Sequence, residues 1–111
     1  MNRILAIDFD GTVHDNIHPL PGRRMGVPSP GAKEALEGFK KRGDTIIIFS
    51  VWGDKPKAIA DWMQYYKIPY DSITNIKPHN INFLIDDKAV RFTTWNEVIH
   101  TLDQLSQHSV I

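Results

Sequence analysis

Ile4-Leu5-Ala6-Ile7-Asp8-Phe9-Asp10-Gly11-Thr12 decides the fold. Four consecutive apolar residues suit a strand covered on both faces, as in a parallel sheet. The run ends in two carboxylates, so acid sits where the strand leaves the sheet. In open α/β sheets that carboxyl edge is where ligands bind. In an extended strand Asp8 and Asp10 point one way and Phe9 the other. Two like charges about 4 Å apart repel by roughly 4 kcal/mol at an effective dielectric near 20. Such a pair calls for a cation, a shared proton or open water. Gly11 lets the backbone turn sharply behind it.

Outward from this strand, residues 13–28 hold three prolines and two glycines, which exclude a long helix. A loop of that length in a small domain is often functional. Ser29 reads as an N-cap with Pro30 at the first helical position. Ala32, Ala35, Leu36 and Phe39 share a face, and Gly43 ends the helix. Thr45-Ile46-Ile47-Ile48-Phe49 is a second buried strand that delivers Ser50 to the sheet edge. Asp54 and Pro56 open a second helix with Ile59, Trp62, Met63 and Tyr66 as its apolar stripe. Residues 70–74 form a short strand, and Lys77-Pro78 follows. Asn82-Phe83-Leu84-Ile85 is the next strand and ends in Asp86-Asp87. Thr94-Trp95-Asn96-Glu97 is a capping box whose helix is expected to bury Trp95, Val98, Ile99, Leu102 and Leu105. Residues 106–111 are expected to fray. Strands alternating with helices imply an α/β, mostly parallel sheet covered on both faces, with right-handed crossovers.

The 111 residues make one domain, 1–111, with 41% apolar residues to supply a core. Formal net charge is zero, so no bulk charge recruits nucleic acid or a membrane. Without cysteine, thiol nucleophiles and thiolate metal sites are excluded. No apolar stretch approaches a membrane span, and no signal-peptide pattern opens the chain. A cytoplasmic protein is expected.

In a parallel sheet the tips carrying Asp8, Asp10, Ser50, Lys77, Asp86 and Asp87 converge on one edge. The acids suit a hard divalent cation, magnesium first. The ammonium and hydroxyl suit a phosphate. Asp8-Phe9-Asp10-Gly11-Thr12 resembles the first motif of haloacid-dehalogenase-type phosphatases, Asp-x-Asp-x-Thr. Ser50, Lys77 and Asp86-Asp87 look like the second, third and fourth motifs. The resemblance implies a three-layer, Rossmann-like HAD core with strand order 3-2-1-4, an aspartyl-phosphate on Asp8, and Asp10 as acid and then base. It implies Mg²⁺ on Asp8, on the backbone carbonyl of Asp10 and on Asp86, with Asp87 bound through water or orienting Lys77. Ser50 and Lys77 would hold phosphoryl oxygens, and Thr12 would order the turn. His14, His18, Arg23 and Arg24 read more readily as loop residues than as substrate contacts, and Trp52 divides evenly between lining the site and covering the sheet.

No cap domain interrupts the pattern. The substrate, a phosphate ester of a small molecule, nucleotide or macromolecule, would then act as its own lid, or the 13–28 loop or a second copy of the chain would cover the site. A phospho-receiver module also gathers acids, a hydroxyl and a lysine. It would place its phosphorylated Asp on a middle strand, however, and nothing acidic ends 45–49. A catalytically degenerate phosphate- or metal-binding module is the other alternative, and the full set of motif residues argues against it.

Overall fold

The computed structural model describes residues 2–15, 26–50 and 56–108. The elements run β1 (Ile4–Asp8), α1 (Ala32–Lys41), β2 (Thr45–Phe49), α2 (Pro56–Tyr65), β3 (Ser72–Thr74), β4 (Phe83–Ile85) and α3 (Trp95–His108). The four strands pair in parallel in the order β3-β2-β1-β4, the α/β Rossmann-like arrangement the alternation implies.

Register explains how the core forms. Leu5 and Ile7 of β1 lie opposite Ile46 and Ile48 of β2. Ile7 also lies opposite Ile85 of β4. These residues share one face, and there they join Ala32 and Leu36 of α1 and Ile59, Trp62 and Met63 of α2 in one apolar cluster. Both helices lie on that face because β1→β2→β3 steps twice in one direction with right-handed crossovers. Each buried Leu, Ile or Met there contributes about 1.5–3 kcal/mol over its exposed state. Gly43 leaves α1 at φ 88° and hands the chain to β2.

The lower edge of the sheet, away from the strand tips, is held by paired charges. Asp44 is buried and bridges the Arg3 guanidinium at 2.5 Å. Asp71 accepts from Lys40 at 2.8 Å and from the Ile46 N–H at 2.7 Å. The side-chain bond from Arg3 holds the Asp44 carboxyl below its ordinary range, and that from Lys40 does the same for Asp71.

Two local expectations are corrected. Ser29 does not cap α1: the N-cap is Gly31, at φ 83° with no side-chain cap. Ser29 instead gives its hydroxyl to the Thr12 carbonyl and its N–H to the Val13 carbonyl, tying the chain back to the first motif. The apolar face of α3 is not buried: Trp95 is 71% exposed, and Ile99, Leu102 and Leu105 are exposed with it. Among the described residues α3 packs against no other element. Its start follows the expected chemistry, with the Glu97 N–H donating to Thr94 Oγ1 at 3.2 Å. Helical periodicity specifies an apolar face but not the surface that covers it. The Asp54, His18, Arg23, Arg24 and Trp52 readings fall outside the described residues. Among those residues no helix is long and apolar enough to cross a membrane.

Candidate active site

Strand register builds the site. Ile7 pairs with Ile85, so the next residues, Asp8 and Asp86, leave adjacent strands side by side. Asp8 follows Ile4 and Ala6 on the face opposite the helix-covered core, and Asp86 follows Leu84 on that same face. One carboxylate oxygen each from Asp8, Asp86 and Asp87 lies within 4.8 Å of the others. Among the described residues no other such trio of ligating side chains gathers. Asp86 Oδ1 accepts the Lys88 N–H at 2.7 Å, a turn that fixes this carboxylate at the end of β4. Asp87 packs over Gly11, which stands at φ 85°. A Cβ on Gly11 would meet the end of the Asp87 side chain, and the positive φ is what favours glycine there.

Electrostatics separate this trio from the paired carboxylates of the lower edge. Burial first, then the charges of Asp86, Asp87 and Asp10, push the Asp8 carboxyl up to about 6, against a hydrogen bond from Thr12 that lowers it. That bond runs from Thr12 Oγ1 to Asp8 Oδ2 at 3.4 Å. Carboxylates crowded together, here with no ion-pair partner among the described residues, mark functional sites more often than structural ones. Three hard oxygen donors, repelling one another at the mouth of a sheet, fit a hard divalent cation that keeps some of its waters.

Asp10 is held separately. Phe9 through His14 form a tight loop in which the Phe9 carbonyl accepts the N–H groups of Thr12, Val13 and His14. The loop returns His14 beneath Asp10, with Nδ1 3.2 Å from Asp10 Oδ1. Ser50 Oγ donates to Asp10 Oδ2 at 3.3 Å, and the Ser50 N–H bonds the Thr74 carbonyl at 3.0 Å. Ser50 is 1% exposed.

The sequence-derived residues thus divide into groups. Asp8, Asp86 and Asp87 meet, and Asp87 enters the trio on equal terms with Asp86. Asp10 and Ser50 meet beside them, and Thr12 supports Asp8. Lys77 lies exposed on the β3–β4 connection and forms no ion pair with the trio among the described residues. His14, expected to be a surface loop histidine, is buried, 4% exposed. The available signal was its position four residues after Asp10, where a tight turn returns the chain.

No family model and no curated protein matches this sequence. Two solved structures resemble the fold. A conserved protein from Bacteroides thetaiotaomicron superposes with a TM-score of 0.65 at 20% identity, over 95% of this chain and 93% of that one. A crystal structure from Vibrio cholerae superposes with a TM-score of 0.55 at 21% identity, over 93% and 98%. At such identities the likeness speaks to the fold alone.

Proposed function

We propose that this protein is a magnesium-dependent phosphomonoester hydrolase of the haloacid-dehalogenase type, working through an aspartyl-phosphate on Asp8. The observation that carries the reading is the meeting of Asp8 with Asp86 and Asp87, carboxylates far apart in sequence, at the tips of two parallel strands.

In the first half-reaction an Asp8 oxygen attacks phosphorus, the ester P–O bond breaks, and Asp10 gives its proton to the departing alkoxide. In the second, Asp10 takes a proton from water, the hydroxide attacks the same phosphorus, and inorganic phosphate leaves Asp8 as a carboxylate. Splitting the displacement gives two easier steps for one of the slowest uncatalysed hydrolyses. Asp8, Asp86 and the Asp10 carbonyl, with Asp87 beside them, would hold Mg²⁺, which offsets the charge on the transferring phosphoryl oxygens. Ser50, Lys77 and Thr12 supply donors for those oxygens. Lys77, on its exposed connection, would swing in when phosphate binds. The sequence leaves only residues 13–28 between the first motif and α1, too few for a cap domain, so a substrate large enough to shield itself, a second copy of the chain, or the 13–28 segment completes the enclosure.

Hydrolysis of p-nitrophenyl phosphate, followed by a panel of nucleotide, sugar and peptide phosphates, tests the reading. Turnover that requires Mg²⁺ and stops with EDTA is expected. Metal-independent turnover, or none on any ester, would contradict it.

A further inference from the structure

We infer that His14 is a positioning residue for Asp10: a neutral imidazole, protonated at Nδ1, that makes Asp10 Oδ1 a fixed acceptor and leaves Oδ2 as the oxygen that exchanges protons with substrate and water. The inference rests on the phosphohydrolase reading and deepens it.

The hydrogen bonds around the ring decide its form. The Gly26 N–H points at His14 Nε2 from 2.6 Å. A backbone amide can only donate, so Nε2 accepts and carries no proton. The ring proton is therefore on Nδ1, 3.2 Å from Asp10 Oδ1, and Nδ1 donates to that oxygen. The ring has little freedom to do otherwise. It stacks on Phe9, with centroids 5.2 Å apart and planes 2° from parallel, and it meets the edge of Trp62 at 5.6 Å. Trp62 Nε1–H donates to the Gly26 carbonyl at 3.0 Å, so the residue that fixes the imidazole is itself fixed. Its own backbone closes the motif loop: the His14 N–H bonds the Phe9 carbonyl at 2.9 Å, and the His14 carbonyl accepts the Gly11 N–H at 2.9 Å.

The consequence lies on Asp10. Its Oδ1 faces a donor that cannot reverse, whereas its Oδ2 faces the Ser50 hydroxyl, which can donate or accept. A protonated Asp10 therefore carries its proton on Oδ2. During cleavage this proton passes to the alkoxide oxygen as the P–O bond breaks; during hydrolysis Oδ2 recovers one from water. No step passes a proton through the imidazole, which holds the carboxyl plane and its polarity. The apolar walls and the Gly26 bond keep the ring in one tautomer.

The test uses two esters whose leaving groups differ in their need for an acid, phenyl phosphate and 2,4-dinitrophenyl phosphate, with Mg²⁺ present. His14→Leu removes the donor. His14→Asn places an amide nitrogen where Nδ1 stands and restores it. General acid catalysis contributes about 10²–10⁴-fold, so His14→Leu is expected to lower kcat/KM for phenyl phosphate by at least about tenfold more than for the dinitrophenyl ester. His14→Asn is expected to recover most of that difference, and His14→Leu is expected to add nothing in an Asp10→Asn background. Equal losses on both esters, failure of the Asn variant to rescue, or full additivity with Asp10→Asn would overturn the positioning role while leaving the hydrolase reading standing. A wild-type protein inert towards both esters would overturn both. Nitrogen-15 shifts of His14 in the wild-type protein test the inference without any variant: a neutral ring protonated at Nδ1 is expected, and an Nε2–H ring would sink it.

Discussion

Asp8→Asn is expected to abolish phosphoester turnover and, at the same time, to make the metal-free protein more stable at pH 7.5. The first effect follows from chemistry. An amide is no nucleophile towards phosphorus, and nucleophile removal in covalent enzymes costs orders of magnitude, here at least about 10³-fold in kcat. The second follows from the crowded carboxylates. Burial and the neighbouring acids raise Asp8 to about 6, so at pH 7.5 it is ionised against its surroundings. A neutral amide removes that repulsion, and its oxygen can still accept from Thr12 Oγ1. Activity measured beside a thermal melt separates this outcome from misfolding. A variant that loses activity and also melts well below the wild type at pH 7.5 would contradict the account of Asp8. Stability given up for function in this way is common at active sites.

Magnesium is expected to raise the melting temperature, and to do so more at pH 7.5 than at pH 5. An acid with a raised folded-state value binds its proton more tightly when folded. Its contribution to stability is therefore present at low pH and is lost as pH rises from about 4, its unfolded value, through about 6. A cation that keeps Asp8 ionised opposes that loss where the loss is complete, above pH 6. At one hundred times its dissociation constant a ligand adds about 2.7 kcal/mol. For a domain of this size that corresponds to a shift on the order of 10 °C. Asp44 and Asp71 do not obscure the test. Their carboxyls are held low by Arg3 and Lys40, so their contributions are present above about pH 4 and fade only on further acidification. Asp86→Asn is expected to remove most of the magnesium shift. A shift equal at both pH values, or unchanged in Asp86→Asn, would argue that magnesium binds elsewhere.

Much of this was legible in the chain because a few residues allow one reading each. Ile4 through Ile7 leave no polar face, which marks a parallel-sheet strand, alternation with helices makes its neighbours parallel, and the order 3-2-1-4 came with the motif resemblance. Strand ends follow from where the apolar runs stop, which brings Asp8 beside Asp86 once Ile7 pairs with Ile85. Residues with two competing uses were harder. Ser29 can cap a helix or bond a distant carbonyl, and the chain's return to Val13 decides for the carbonyl. The apolar stripe of α3 resembles that of α2, yet only α2 meets the sheet. His14 shows the limit best. Its role depends on Gly26 and Trp62, which sequence spacing does not connect to it and the fold does.

The most direct test of the central claim is to trap the intermediate. In Asp10→Asn the Asp8 carboxylate can still displace 2,4-dinitrophenolate from phosphorus without an acid, but water then lacks its base. Mixing this variant with 2,4-dinitrophenyl phosphate and Mg²⁺, then quenching and mapping peptides by mass spectrometry, is expected to show a stoichiometric phosphoryl group on Asp8. A wild-type enzyme that turns over while Asp10→Asn carries its phosphoryl group on any other residue, or none at all, would contradict the account.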